Sequence, residues 1–224
     1  MATKRICLKD RILPDYTKGE EIFNMVTHIV GGALGVATLV FCILIPAFEG
    51  SAAGVLCGIM FGASMIFLYT MSSIYHGLRR GTAKKVFQIM DHCSIYWLIA
   101  GTYTPILVCS VAKSYPLAAW FTFALVWGLA VIATVLTAID LKKYNVFSMI
   151  CYIGMGWAVV FSMKQTYLSL GHEGFMWVLF GGLLYTLGVF FFAKKVRYFH
   201  SVFHIFVVLG SLCHSVAVIF YVMR

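Results

Sequence analysis

The chain has 224 residues, of which 62% are hydrophobic and only 11% charged, whereas a soluble domain carries roughly 25% charged residues. That composition excludes an ordinary water-soluble globule. The net charge of +9 would suit a nucleic-acid partner, but the basic residues are sorted by loop instead of gathered in a patch, so no nucleic acid is expected.

The first twenty residues are polar and charged, and read as a cytoplasmic N-terminal segment, 1–20. No cleavable signal peptide is visible, because the first apolar run is too long for a signal core. Seven apolar runs follow, at about 22–45, 52–77, 87–110, 116–139, 146–163, 175–193 and 201–222. A helical span needs roughly 20 residues, and strand-period alternation is not evident. The expected architecture is therefore all-α: one domain, 21–224, forming a seven-transmembrane helix bundle.

Numbering the loops from the N-terminus puts fourteen of the 17 basic residues on the N-terminal side and leaves Lys113, Lys164 and Arg224 on the other. Positive residues are retained inside, which predicts a cytoplasmic N-terminus and an outside C-terminus. The seven cysteines stand singly with no Cys-x-x-Cys pair, so they read as soft apolar filler.

Polar residues inside the runs then converge. The first run opens with Glu21, Asn24, His28, Gly31 and Gly35 at helical spacing; the second ends with Ser72 and His76; the third opens with Asp91 and His92; the seventh opens with His200 and His204. His200 and His204, four apart, share one helix face. With about 1.5 Å of rise per residue, His76, Asp91 and His204 lie about 5–10 Å inside the inner surface. Ionisable groups at such depth are costly and mark a functional site. Gly54, Gly58 and Gly62 define the packed face of the second helix, and His76 falls about 40° from it, so it points inward.

Three inward imidazoles with an open position match a common zinc arrangement. Histidines hydrogen-bonded to backbone or to one another are the other reading. Asp91 is either a carboxylate at that site or a structural partner of a histidine or Asn24. Ser72 reads as a group that stands behind the ligands or packs the helix, since no nucleophile elbow surrounds it. Glu21, Asn24 and His28 read equally as a structural polar cluster or as cavity lining. His92, His172 and His214 are not expected to ligate. Pro105 should perturb the outer part of the third helix.

The motifs Glu21-x-x-Asn24-x-x-Thr27-His28, Ser72-x-x-x-His76, Asp91-His-Cys-Ser-Ile95 and His200-x-x-x-His204 resemble, in order, those of the progestin and adipoQ receptor superfamily. The stretch from Asp91 to Pro105 resembles its bacterial hemolysin III branch. The resemblance implies a cytoplasmic-side Zn2+ held by His76, His200 and His204, an aspartate beside the zinc's water at Asp91, and a serine behind the ligands at Ser72. It also implies a multi-pass protein of the bacterial inner membrane, with membrane lipids as partners and a part in lipid and energetic homeostasis.

Three function classes follow. The first is a zinc-dependent hydrolase of a lipid amide or ester, with Asp91 as the catalytic base. The second is a non-catalytic regulator or receptor in which zinc ties helices together. The third, an oligomeric pore, fits least, because the ionisable groups are confined to the inner layer.

Overall fold

The structure, a computed structural model, describes residues 7–224, the Lys9 side chain excepted. Lys4 and Arg5, counted above among the inner charges, lie outside the described residues. The long elements are all helical: α1 (Lys18–Phe48), α2 (Ala52–Gly77), α3 (Thr82–Pro105), the one-turn α4 (Ala112–Ser114), α5 (Pro116–Ile139), α6 (Asn145–Gly156), α7 (Met163–Phe192) and α8 (Phe199–Tyr221). Among the described residues, six helical stretches are long and apolar enough to cross a membrane. The protein is thus an all-α, multi-pass membrane protein.

The count of six differs from the seven expected at one place. The runs at 146–163 and 175–193 both fall within the single helical stretch Asn145–Phe192, which is 48 residues long. That stretch is interrupted twice. A 3-10 segment, Ala158–Ser162, follows α6. Gly171 inside α7 then takes φ 71° and ψ 177°, which no helix uses and which glycine tolerates for want of a Cβ. The turn there is sharp: the rings of Tyr167 and Phe175 approach to 5.5 Å, against about 12 Å of axial separation for eight helical residues.

Local chemistry explains where the helices near the histidines begin. At the start of α1, Glu20 N–H donates to the Thr17 hydroxyl (3.3 Å), while Thr17 N–H donates to Glu20 Oε2 (2.8 Å), a capping box that satisfies two backbone donors. The other Glu20 oxygen accepts from Tyr198 N–H at 2.8 Å. Tyr198 precedes α8 in the left-handed region, φ 62°. One carboxylate therefore fixes the starts of both α1 and α8, and with them the heights of Asn24 and His204.

The glycine face of α2 packs on α1. A Cβ on Gly58 would run into the carbonyl of Cys42, and one on Gly62 would lie 2.6 Å from Leu39. Such close approach is how helices associate where burial from water offers no driving force. Among the described residues, the stretch Thr82–Ser114, which is α3 and the turns that follow it, is the most enclosed of the spans. After Pro105, which has no N–H to donate, its hydrogen bonding slips into a π-helical segment, Ile106–Val111, as expected of a proline-interrupted ladder.

Candidate metal centre

His76 ends α2, while His200 and His204 open α8. The structure brings them together: one ring nitrogen from each lies within 4.8 Å of the other two. The Nε2 atoms of His200 and His204 are 3.1 Å apart. The ring centroids of His76 lie 5.4 Å from His200 and 5.0 Å from His204. His76 and His204 are almost wholly enclosed, at 3% and 1% exposure.

The second nitrogens settle which atoms face the cluster. His76 Nδ1 lies 2.7 Å from Glu21 Oε2, and a carboxylate accepts, so Nδ1 carries the proton. His204 Nδ1 lies 3.3 Å from the Asn24 carbonyl, and a carbonyl also accepts. In the neutral form both rings therefore present an unprotonated Nε2. For His76 that Nε2 is buried and has no hydrogen-bond partner among the described residues. A buried, unsatisfied imidazole lone pair is costly unless a cation sits beside it. Three imidazoles, two of them with the outer nitrogen held by a carboxylate or a carbonyl, form a donor set suited to a divalent metal. The residues present fit the metal; they do not by themselves select zinc.

Glu21 and Asn24, which fitted either a structural or a cavity role in the sequence, hold the histidines. His28 lies flat on His204, centroids 3.6 Å apart and planes 11° apart. Both of its ring nitrogens are buried without a partner among the described residues. Its ring also lines a largely apolar cavity together with Asp91, His92, His200 and His204. That cavity continues along α3, α7 and α8 past Val207 to Ile106 and His214. From Asp91 to Ile106 is fifteen residues, about 22 Å of helix, so the cavity reaches from the histidine layer deep into the bundle.

Asp91 is 7% exposed and opens into this cavity. Its Oδ2 lies 3.7 Å from His92 Nδ1, which donates to the Gln88 carbonyl at 2.8 Å. Ser72 lies one turn before His76, and its hydroxyl is buried without a partner among the described residues. His214 Nε2 sits 3.0 Å from the Val178 carbonyl, on the far part of the cavity. His92 and His214 stand outside the three-histidine group.

Two neighbours escaped the sequence reading. Tyr16, in the polar leader, stacks on His200 at 5.0 Å and 22°, and its centroid is 5.7 Å from that of His76. Burial, then the nearby Asp91, Glu21 and Glu20 carboxylates, push its phenol pKa well up. Lys84, read as a loop charge, is buried and pairs with Glu21 at 2.8 Å. The one hint of Tyr16 was an aromatic placed four and five residues before the acidic pair that opens the first run.

A model of the "Haemolysin-III related" family matches residues 16–215, a stretch that takes in Tyr16 and all three histidines. The chain is 36% identical to Hemolysin-3 of Bacillus cereus over 205 residues, covering 91% of this chain and 92% of that one. It is 37% identical to the Hemolysin-3 homolog of Bacillus subtilis (strain 168) over 213 residues, 93% and 97% of the two chains. Similarity extends to the human Monocyte to macrophage differentiation factor, 29% identical over 178 residues, 74% of this chain and 70% of that one. The chain belongs to the haemolysin-III related family.

Proposed function

We propose that this protein is a zinc-dependent hydrolase of a membrane lipid amide or ester, acting within the bacterial inner membrane to maintain its lipid composition. The observation that carries the reading is the orphaned Nε2 of His76, aimed at the facing Nε2 atoms of His200 and His204. A zinc ion held by these three would supply Lewis acidity, which acidifies water and polarises a carbonyl. Asp91, opening into the same cavity, takes the proton from the attacking water at a carboxylate oxygen and returns it to the leaving group. Ser72, one turn before His76 on the same helix, stands behind the ligands with its hydroxyl buried. The apolar cavity takes an acyl chain, with the scissile bond at the histidine layer and the chain lying along α3 and α8. Tyr16 covers the cluster from the N-terminal side and limits entry of bulk water.

The proposed arrangement has seven spans, with the N-terminus cytoplasmic. Two observations support the seventh. A stretch of 48 residues would be about 72 Å long as one helix, more than twice a hydrocarbon core of about 30 Å. The non-helical Gly171 divides it near its middle.

A regulator with structural zinc is the second reading, favoured by the placement of the ligands on two different helices, α2 and α8. Metal analysis of purified wild type beside His76→Ala and His204→Ala tests the site common to both readings. About one zinc per chain is expected in the wild type and little in either variant; equal zinc in all three would remove the assignment.

A further inference from the structure

Lys84 stands in sequence just after the second run, among other loop cations, yet its side chain is 3% exposed. Its Nζ lies 2.9 Å from the Tyr75 carbonyl, 3.0 Å from that of Leu78 and 3.4 Å from that of His76. These carbonyls form the C-terminal end of α2, where acceptors have lost their helical donors and partial negative charge accumulates. The fourth acceptor is Glu21 Oε1, at 2.8 Å. The other oxygen of the same carboxylate meets His76 Nδ1 at 2.7 Å. A continuous line thus runs from the end of α2, through Lys84 and Glu21, back to the histidine in the last turn of α2.

Resting on the metal-binding reading above, we infer that Lys84 is a positioning residue for the metal centre: it holds the Glu21 carboxylate against His76 and so keeps the His76 Nε2 lone pair turned toward His200 and His204. The physical need is plain. Glu21 is one-fifth exposed at its side chain, so a path to water is open to it. A half-buried carboxylate without a cation beside it is poorly solvated and turns outward. His76 then loses the acceptor that fixes its ring. Lys84 cannot follow Glu21 outward, because three carbonyls of the helix end hold it in place. Its part in the site therefore runs through Glu21, not through contact with a metal.

The competing account is that Lys84 does no more than cap α2. Zinc affinity, measured by chelator competition on purified protein in detergent, separates the two when Lys84→Met is made in the wild-type and in the Glu21→Gln backgrounds. Loss of a group that orients a ligand costs typically about 10–100-fold in metal affinity. That loss is expected for Lys84→Met alone, together with a changed visible spectrum of the Co2+-loaded protein. In the Glu21→Gln background the same substitution should change affinity less than about twofold, because the path is already cut. An equal loss in both backgrounds, or none in the wild-type background while His76→Ala abolishes binding, overturns the inference and leaves the metal site standing. A wild type that binds neither Zn2+ nor Co2+ removes the metal-binding reading itself. If Lys84→Met does not fold, Lys84→Gln, which keeps donors for the α2 carbonyls and loses the charge, carries the same comparison. Failure of both to fold assigns Lys84 to the helix end alone and overturns the inference.

Discussion

The Nε2 atoms of His200 and His204 face each other across 3.1 Å. The proton of His204 is on Nδ1, donated to the Asn24 carbonyl, so its Nε2 is a lone pair. In metal-free protein His200 must then place its own proton on Nε2 and donate it to His204. A metal ion taken up there would require the His200 proton to move from Nε2 to Nδ1, leaving both Nε2 lone pairs free to hold it. Metal binding at this cluster would therefore be coupled to the placing of α8 relative to α2, since the three histidines meet only when both helices are in place.

The first prediction follows from that coupling. A ligand that binds only the folded state stabilises it by about 2.7 kcal/mol at a hundredfold excess over its Kd. Chelator-treated protein in detergent should therefore gain thermal stability on adding zinc, and His204→Ala should gain none. An equal rise in Tm for the two proteins would place the zinc effect elsewhere.

The second prediction concerns Asp91. The carboxylate opens into the cavity beside His200 and His204 but stands outside the three-histidine group. Asp91→Asn should therefore keep its zinc. A positioned general base contributes typically about 10²–10⁴-fold, so release of fatty acid from reconstituted bacterial lipid vesicles, followed by mass spectrometry, should fall by that factor. Full turnover by the variant would exclude Asp91 as the base. Zinc-loaded wild type that releases no fatty acid would favour the regulator.

The third prediction tests the helix packing that sets the height of His76. Gly58 was legible as an interface position because Gly54, Gly58 and Gly62 recur every four residues, and the structure lays that face on Cys42, Leu39 and Pro46. Gly58→Val forces backbone apart where α1 and α2 touch, a kind of overpacking that costs typically about 1–3 kcal/mol. A Tm below the wild type and weaker zinc retention are both expected, since Glu21 and Asn24 ride on α1 and His76 on α2. Unchanged stability would mean that the two helices are not held at this contact.

The His200–His204 face and the Gly54 stripe are local: spacing on one helix determines them, so they can be read directly. Glu21 and Asn24 shared a stripe, but whether a stripe holds a ligand or lines a cavity depends on which helix lies opposite. Lys84 illustrates the harder case. Its place among loop cations describes its charge, whereas its burial depends on the carbonyls of Tyr75 and Leu78 ending a helix within reach of its ammonium. Hydropathy likewise separated the runs at 146–163 and 175–193, but the backbone break between them rests on the φ of Gly171, which hydropathy does not encode.

The fourth prediction concerns Tyr16. The segment that carries it is tied down by Arg80, which donates to Asp15 Oδ1 at 2.5 Å and to the Pro14 carbonyl at 3.1 Å, and by Arg11, which donates to Gln88 at 3.1 Å. Leu13 is buried in the same segment, and Tyr16 stacks on His200. With its pKa pushed up by burial, the phenol stays neutral at physiological pH and places no charge beside the cluster. Tyr16→Ala removes the cover without replacing a ligand, so zinc should be retained at equilibrium yet stripped faster by a soluble chelator. Arg80→Ala should act in the same direction and more weakly, because an exposed ion pair contributes only about 0–1 kcal/mol. Stripping rates equal to the wild type in both variants would show that the metal leaves by another route, along the cavity past His28 and Val207.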